Sequence, residues 1–429
     1  MRNTEKNAFS VFPPQAIDAT ISLPASKSIS NRALIIAALS GGHSELENIS
    51  ECDDTQVILD ALSNTPPTVD IHASGTAMRF LTAYFAIAGG THVLTGTDRM
   101  KQRPIAPLVD ALRHLGADIE YVENEGYPPL RITGQKLRGG YVEIVGNVSS
   151  QYISALLLIA PMLPDGLELR IMDSIISRPY IDLTLDVMRD FGAVANWTSA
   201  TDIKVEPQPY KQQHFVVESD WSAASYWYEM LALAKDTDAE IRLRGLVDGS
   251  RQGDSAVRYL FSMFGVKTTF GKDDATGETM VAIKYHQRTL PRLDYDFTNQ
   301  PDIAQTFVVV CCLANIRFSF SGLSTLRIKE TDRLQALQQE MRRLGYVIDM
   351  PDGNSLTWNG ERCEPEEHPT IRTYNDHRMA MPFAAAAYAV PGITIEDPEV
   401  VGKSYPQFWN DMKTAGYNID ETTTEHSQP

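Results

Sequence analysis

Cations and hydroxyls stand at the starts of apolar stretches in this sequence, where they could bind anions. The segment Ser26–Leu39 reads SKSISNRALIIAAL, so Lys27, Ser28 and Arg32 occupy the first turns of a run that otherwise resembles a buried helix. The start of a helix offers unpaired N–H groups and a partial positive charge, which together attract negatively charged groups. Lysine and arginine at such a start therefore indicate a site for a small anionic ligand.

The same pattern occurs six times along the chain. Each copy begins with a small polar cluster that contains a Ser, Asn or Asp suited to capping, and continues as an Ala- and Leu-rich stretch of helical length. The copies begin at Ser26, Ser74, Ser149, Ser219, Asn299 and Tyr374, and the fifth has a proline in its first turn. Strand-like runs such as YVEIVG, LELRIMD and ITIEDP lie between them, so the pattern predicts an α/β protein built from repeats.

Two interpretations of the helix starts remain open. Six independently capped core helices would explain one Ser or Asp in each copy. They would not explain Lys27, Arg32, Arg79 or Arg378, or the triplet Ser149–Gln151. Several helix starts that converge on one cleft, reinforced by Lys and Arg, would account for these residues as a pocket selective for anions.

Further cations lie in segments that also have ordinary structural explanations. The loop Thr95–Pro104 could be a solvated turn, and Glu330 with Arg333 could be a local ion pair at the start of an exposed helix. A lone histidine such as His377 is usually structural. The cations concerned are Arg99, Lys101 and Arg103 in the loop, Lys329 and Arg333 in the predicted helix opened by Lys329 and Glu330, Arg378 after His377, and Lys403.

Charge and motif searches exclude several classes of function. The formal charge is −17, which argues against nucleic acid as the main partner. Asp397 stands where a phosphate-binding loop ending at Lys403 would need glycine. The sequence has no Cys-x-x-Cys, His-Glu-x-x-His or Gly-x-Ser-x-Gly motif, so we expect neither a metal nor a cofactor.

Length and composition set the expected organisation. A chain of 429 residues exceeds the size of a single hydrophobic core, so two domains are expected. Four cysteines in such a chain suggest reduced thiols. The first ten residues carry no apolar signal core and no run is long enough to span a membrane, so we expect a cytoplasmic protein.

Seven motifs in order give the sequence a specific resemblance. LPASKSISNRAL, SGTAMR, RMKQRPI, VSSQY, SRPYIDLTL, RIKETDRL and YNDHRMAM are similar to motifs of the EPSP synthases, within the enolpyruvyl transferase family. The resemblance runs from about Ile21 to Phe408. It implies two similar domains, residues 1–21 with 219–429 and residues 22–218. Each would contain three βαβαββ units whose buried parallel helices point at the cleft between the domains.

The resemblance also implies a reaction and a set of ligands. The family transfers the enolpyruvyl group of phosphoenolpyruvate to the 5-hydroxyl of shikimate 3-phosphate by addition and elimination, releasing phosphate. It implies Asp302 as the base, and Glu330 or Lys27 as the acid. The implied shikimate 3-phosphate ligands are Lys27, Ser28, Arg32, Ser149, Ser150, Gln151, Ser177, Asp302, Thr325 and Lys329. The implied phosphoenolpyruvate ligands are Lys27, Gly75, Arg103, Gln151, Arg333, Arg378 and Lys403.

The sequence departs from the family pattern at three places. Ala73 replaces an asparagine, Thr325 stands where asparagine is common, and the segment Thr55–Ile71 is short enough to predict the loss of a strand or two. Two alternatives remain. The sister enzyme that uses UDP-N-acetylglucosamine typically has a reactive cysteine in the loop before Arg103, and this chain has none there. A non-catalytic anion-binding homologue would not need Asp302 and Glu330. We expect a monomer that binds these two small substrates and neither nucleic acid nor membrane.

Overall fold

Strands and helices alternate along the chain in the computed structural model, which describes residues 4–42, 44–273 and 276–426. The strands are β1 (Thr4–Phe12), β2 (Asp18–Ser22), β3 (Glu45–Glu47), β4 (Thr68–Asp70), β5 (Thr91–Thr95), β6 (Asp118–Tyr121), β7 (Leu130–Thr133), β8 (Gly140–Val145), β9 (Leu167–Met172), β10 (Ala195–Trp197), β11 (Asp202–Val205), β12 (His214–Val216), β13 (Glu240–Arg244), β14 (Val266–Lys272), β15 (Thr279–Tyr285), β16 (Arg292–Asp296), β17 (Arg317–Ser321), β18 (Leu356–Trp358), β19 (Thr370–Ile371), β20 (Ile393–Glu396) and β21 (Asn418–His426). The helices are α1 (Lys27–Leu39), α2 (Asp53–Asn64), α3 (Gly75–Ile87), α4 (Ala106–His114), α5 (Ser150–Ile159), α6 (Arg178–Asp190), α7 (Trp221–Ala234), α8 (Val257–Met263), α9 (Ala304–Leu313), α10 (Arg333–Arg343), α11 (His377–Ala385) and α12 (Phe408–Thr414).

The chain forms two compact units, each with its own hydrophobic core. The discontinuous unit comprises Met1–Pro24 and Ser219–Pro429, and the inserted unit comprises Ala25–Glu218. The first segment of the discontinuous unit thus ends three residues later than the Ile21 expected from the sequence, because β2 and the residues that follow it belong to the sheet and core of that unit.

The inserted unit contains two complete βαβαββ repeats and one short repeat. The complete ones form sheets of order β4-β5-β7-β6 and β8-β9-β11-β10, in which a parallel pair is extended by two antiparallel strands. Within the part of the chain that the structure describes, the short repeat has only the parallel pair β12-β3, and α2 leads directly to β4. This confirms that the repeat has lost strands, and the lost pair is the antiparallel one.

The discontinuous unit uses the N-terminal strands to complete sheets that are otherwise built from the second half of the chain. Strand β2 pairs in parallel with β13, in the sheet β14-β15-β13-β2. Strand β1 lies between β20 and β21 in the sheet β19-β20-β1-β21, and the third sheet is β16-β17-β18. The chain therefore has to begin in this unit before it builds the inserted one.

Three helices lie in the core of each unit with their polar starts on the same side. In the inserted unit α1, α3 and α5 are almost wholly buried, and Gln151 near the start of α5 contacts Thr76 near the start of α3. In the discontinuous unit α7, α9 and α11 are buried, and Ser225 of α7 contacts Thr306 of α9. Among the described residues no helix has the length and hydropathy that a membrane span requires.

Side chains cap five of the six predicted core helices. Ser26, Ser74, Ser149, Asp220 and Asp376 accept hydrogen bonds from backbone N–H groups at the starts of α1, α3, α5, α7 and α11. The prediction is wrong for α9, which begins at Ala304 after a 3-10 turn, Pro301–Ile303, and has no side-chain cap. The carboxylate in that turn, Asp302, faces cations of neighbouring segments and is not available to the helix.

The helix that Lys329 and Glu330 were expected to open also begins later. A 3-10 stretch, Ser324–Ile328, precedes both residues, and α10 begins at Arg333. The side chain of Asp332 accepts from the N–H of Gln335 at 3.3 Å and so fixes the helix start there. Lys329 and Glu330 consequently lie in extended or irregular backbone. All four cysteines are free thiols as predicted; Cys52, Cys311 and Cys312 are buried, whereas Cys363 is partly exposed.

Candidate active site

The discontinuous unit brings together a set of charged side chains that we call the ion-pair cluster. Four cations and three carboxylates belong to it, and they come from segments that lie far apart in the sequence. They are Asp302 before α9, Lys329 and Glu330 before α10, Arg333 at the first position of α10, Asp376 at the cap of α11, Arg378 in its first turn, and Lys403 at the end of a 3-10 stretch, Pro398–Lys403.

Arg333 is the centre of the ion-pair cluster. Its Nε and Nη2 lie 2.7 and 3.1 Å from the two oxygens of Asp376, which makes a bidentate pair. Nη1 lies 3.2 Å from Oδ1 of Asp302, and Nη2 lies 3.0 Å from Oε2 of Glu330. Burial opposes the charge on this guanidinium, but the three carboxylates outweigh burial and raise the pKa of Arg333 above its ordinary value.

Asp302 is held among three cations. Lys329 Nζ lies 3.5 Å from its Oδ1, Arg333 Nη1 lies 3.2 Å from the same oxygen, and Arg378 Nη2 lies 3.5 Å from Oδ2. Nη1 of Arg378 also donates to the backbone carbonyl of Asp302 at 2.8 Å. Burial works against ionisation here, yet the neighbouring cations prevail and hold the pKa of the Asp302 carboxyl well below its usual range. The group is therefore a carboxylate in the free protein.

Glu330 makes ion pairs with two cations. Its Oε1 accepts from Lys403 Nζ at 2.9 Å and its Oε2 accepts from Arg333 at 3.0 Å, while its side chain is 11% exposed. The local ion pair between Glu330 and Arg333 that the sequence suggested is present. Arg333 is buried, however, so the prediction that this pair lies at an exposed helix start is wrong. Both carboxylate oxygens of Glu330 are therefore engaged by cations.

The inserted unit contains a second set of polar residues, which we call the helix-end cluster. Its members lie at or near the starts of the buried helices, or in the loop after β5. They are Lys27, Ser28 and Arg32 of α1, Gly75 of α3, Arg103 in the loop, Ser149, Ser150 and Gln151 at α5, and Ser177 at the cap of α6.

Arg32 is buried in the helix-end cluster, and no carboxylate among the described residues pairs with it. Its guanidinium donates to Thr184 Oγ1 at 2.7 Å, to the Ser28 carbonyl at 2.7 Å, and to Ser154 Oγ and the Tyr180 carbonyl at 3.2 and 3.1 Å. Burial lowers the pKa of Arg32 to about 10. Four of its five N–H groups are thus already used, and the bidentate carboxylate contact expected for Arg32 stays a prediction.

Close contacts involve four other members of the helix-end cluster. Gln151 Nε2 donates to Thr76 Oγ1 at 3.0 Å, which joins the starts of α5 and α3. A Cβ atom placed on Gly75 would lie 2.7 Å from Nη2 of Arg103, so this position has room only for glycine while Arg103 keeps its conformation. Lys27 Nζ donates to Oδ2 of Asp54 at 2.9 Å.

Known proteins of one family are similar to this chain over most of its length. The family model for EPSP synthase (3-phosphoshikimate 1-carboxyvinyltransferase) matches residues 11–65 and 63–412. A 3-phosphoshikimate 1-carboxyvinyltransferase of Bacteroides fragilis strain YCH46 is 56% identical over 406 residues, which are 95% of this chain and 97% of the relative. The chain belongs to the EPSP synthase family. The relative of the same description from Haemophilus influenzae is 36% identical and is covered over 97% of its length.

Solved EPSP synthase structures support the fold. The enzyme from Acinetobacter baumannii superposes with a TM-score of 0.74 at 23% identity, covering 97% of this chain and all of that one. At this identity the likeness concerns the fold alone. It agrees with the mixed α/β architecture that the motifs predicted.

The sequence indicated most cations of the two clusters but not two of the acids that pair with them. Asp376 was noted only as part of a motif, although it pairs with Arg333 and its side chain is 0% exposed. Asp54 pairs with Lys27 and was not predicted as a site residue. For Asp376 the available sequence signal was its position at a predicted helix start, two residues before Arg378. For Asp54 the sequence offered only an acidic pair at the start of α2, which is common for helix starts.

Two further expected ligands lie in the described structure without a contact that supports a role. Thr325 is buried in the 3-10 stretch Ser324–Ile328. Ser177 caps α6 with a left-handed backbone, φ 52°, and its side chain makes no capping bond. A non-glycine residue in this conformation is uncommon and costs free energy, which is a feature of functional sites. Both assignments stay predictions.

Proposed function

We propose that this chain transfers the enolpyruvyl group of phosphoenolpyruvate to the 5-hydroxyl of shikimate 3-phosphate and releases phosphate. The observation that carries the proposal is the ion-pair cluster, in which Asp302 and Glu330 share the cation Arg333 within a chain 56% identical to a relative of that activity. Two carboxylates that depend on the same cations can change protonation together when a ligand anion arrives.

Each substrate is assigned residues from both clusters. Phosphate and carboxylate groups of shikimate 3-phosphate are assigned to Lys27, Arg32, Lys329 and the hydroxyls of the helix-end cluster. Phosphoenolpyruvate is assigned to Lys27, Gly75, Arg103, Gln151, Arg333, Arg378 and Lys403. Oriented N–H groups and hydroxyls bind such anions with little reorganisation, because the fold already fixes them.

The addition step needs a base and an acid. Asp302 would accept the proton of the 5-hydroxyl while that oxygen bonds to C2 of phosphoenolpyruvate, and a second group would give a proton to C3. In the free protein Asp302 is a weak base, because cations stabilise its charge. Anionic substrates that engage Lys329 and Arg378 would partly cancel that stabilisation and strengthen the base at the moment it is needed.

The acid is Glu330 or Lys27. A phosphate group that takes Lys403 and Arg333 from Glu330 would favour a protonated glutamate, whereas Lys27 carries its proton already and is held by Asp54. In the elimination step the C2–O bond to phosphate breaks, C3 loses a proton and the double bond returns. The same pair of groups would then act in the opposite directions.

Phosphate release with two acceptors tests the proposal. Purified protein with phosphoenolpyruvate and shikimate 3-phosphate should release phosphate, and replacing shikimate 3-phosphate with UDP-N-acetylglucosamine should abolish release. Release with the second acceptor alone would identify the sister activity. Saturable binding of both substrates with no release would identify a binding protein. We further propose a monomer in the cytoplasm; light scattering after size-exclusion chromatography would show a mass near 47.7 kDa.

A further inference from the structure

A groove in the discontinuous unit lies apart from the residues of the ion-pair cluster. It has a volume of about 590 Å³ and is bordered by α8, the edge strand β14 and the segment after β15. A volume of this size is in the range of small-molecule sites. We call it the Arg258 groove, after the residue in its wall that contacts Asp248, Tyr259 and Phe270.

The Arg258 groove has a local excess of positive charge in an acidic protein. Arg258, Lys267 and Arg288 line it together with His286, against the single carboxylate of Asp248. Asp248 is paired with Arg258 at 2.7 Å, and that hydrogen bond holds the pKa of Asp248 below its usual value. No described carboxylate forms an ion pair with Lys267 or Arg288, so their charges remain available in a chain of net charge −17.

Aromatic rings form the apolar part of the wall. Tyr259 is 64% exposed, which is unusual for so large a side chain, and its ring centroid lies 4.6 Å from the Arg258 guanidinium. The same guanidinium lies 5.1 Å from the Phe270 ring and donates to the Tyr259 hydroxyl at 2.8 Å. Arg258 is therefore held between two rings, and the exposed ring of Tyr259 is held in place beside the unpaired cations.

We propose that the Arg258 groove binds a small aromatic carboxylate. Its ring would stack on the exposed ring of Tyr259, and its carboxylate would meet Lys267 and Arg288. Stacking would bury part of the exposed Tyr259 ring against the ligand. The two cations would favour an anion over a neutral molecule of the same shape. The inference is independent of the transferase activity, because none of these residues is a member of either cluster.

Calorimetry on the full chain with 2-naphthoate tests the proposal. We expect 2-naphthoate to bind about tenfold more tightly than 2-naphthylmethanol, which has the same ring without the charge, and than acetate, which has the charge without the ring. The double variant Lys267→Gln/Arg288→Gln should weaken 2-naphthoate about tenfold. Equal affinities for acid and alcohol, or an unchanged affinity in the double variant, would overturn the proposal.

A matched control and a measurement without variants complete the test. Lys284 lies opposite Lys267 in the β14–β15 register but pairs with Glu240, so Lys284→Gln should leave the affinity unchanged. In the wild-type protein, 2-naphthoate should slow hydrogen exchange in Val257–Met263 and Val266–Lys272. Protection confined to other segments would place the ligand elsewhere and refute the assignment.

Discussion

Two buried arginines, one in each unit, carry the same charge in different surroundings. Arg333 faces three carboxylates and its pKa is raised, whereas Arg32 faces hydroxyls and backbone carbonyls and burial lowers its pKa to about 10. The charge of Arg333 is already balanced in the free protein. That of Arg32 is hydrogen-bonded but not balanced. Under the proposed function, the helix-end cluster would attract an anion, while the ion-pair cluster would change protonation when an anion arrives.

The largest expected effect comes from replacing each arginine by alanine and comparing the losses in the free energy of unfolding. Arg333→Ala leaves the Asp376 carboxylate buried without its bidentate partner, so we expect a loss of about 3–5 kcal/mol in the free energy of unfolding. Arg32→Ala leaves only neutral groups behind and should cost about 1–3 kcal/mol. Urea titration measures both.

A control on the same helix separates charge balance from helix effects. Arg342 is exposed on α10, and Arg342→Ala should change the free energy of unfolding by about 0.5 kcal/mol or less. Equal costs for Arg333→Ala and Arg32→Ala would show that the carboxylates do not distinguish the two sites.

Asp254, a buried acid whose pKa is affected by Asp302, gives a pH-dependent test of the electrostatics around the ion-pair cluster. Burial raises the pKa of Asp254 to about 6, the charge of Asp302 adds to the effect, and Arg378 opposes it. The folded state thus holds this proton more tightly than the unfolded chain, whose value is about 3.9. Wild-type stability should therefore fall, relative to Asp254→Asn, as the pH rises from about 4 to above 6.

The size of this effect follows from the difference in pKa. Two pKa units correspond to about 3 kcal/mol, so the free energy of unfolding of Asp254→Asn should gain about that much on wild type between pH 4 and pH 7. Asp248→Asn is the control, because the pKa of Asp248 is lowered and its pH trend has the opposite sign. A pH-independent difference between wild type and Asp254→Asn would refute the assignment.

A smaller effect is expected at the glycine of the helix-end cluster. Gly75→Ala places a methyl group 2.7 Å from Nη2 of Arg103, so the guanidinium must move. We expect KM for phosphoenolpyruvate to rise roughly tenfold with a much smaller change in kcat, which is the pattern of lost ground-state binding. Gly89→Ala is matched, because no atom lies within 4 Å of its added Cβ. Similar kinetics for the two variants would exclude Arg103 as a ligand.

Much of the fold followed from the sequence because its signals are local and repeated. The polar starts of α1, α3, α5, α7 and α11 were correctly predicted as caps, and the short segment Thr55–Ile71 correctly predicted missing strands. The start of α9 was predicted wrongly, because the copy that begins at Asn299 first forms a 3-10 turn, Pro301–Ile303. In that turn Asp302 pairs with Lys329, Arg333 and Arg378.

The acids of the site were harder to predict than its cations. Lysines and arginines at helix starts are unusual and attract notice, whereas Asp376 and Asp54 occupy helix starts, where an acid is ordinary. Only the packing of α10 against α11 brings Arg333 to Asp376. Long-range pairing of this kind depends on tertiary contacts, which spacing along a single chain does not reveal.

The measurement that tests the central claim most directly is the turnover of Asp302→Asn. The change keeps the size of the side chain but removes the carboxylate that three cations hold. We predict that kcat falls by about 10² or more while the Kd for shikimate 3-phosphate changes by less than about tenfold. The control Asp294→Asn, on β16 and 59% exposed, should leave both unchanged. Turnover of Asp302→Asn near the wild-type rate would contradict the account.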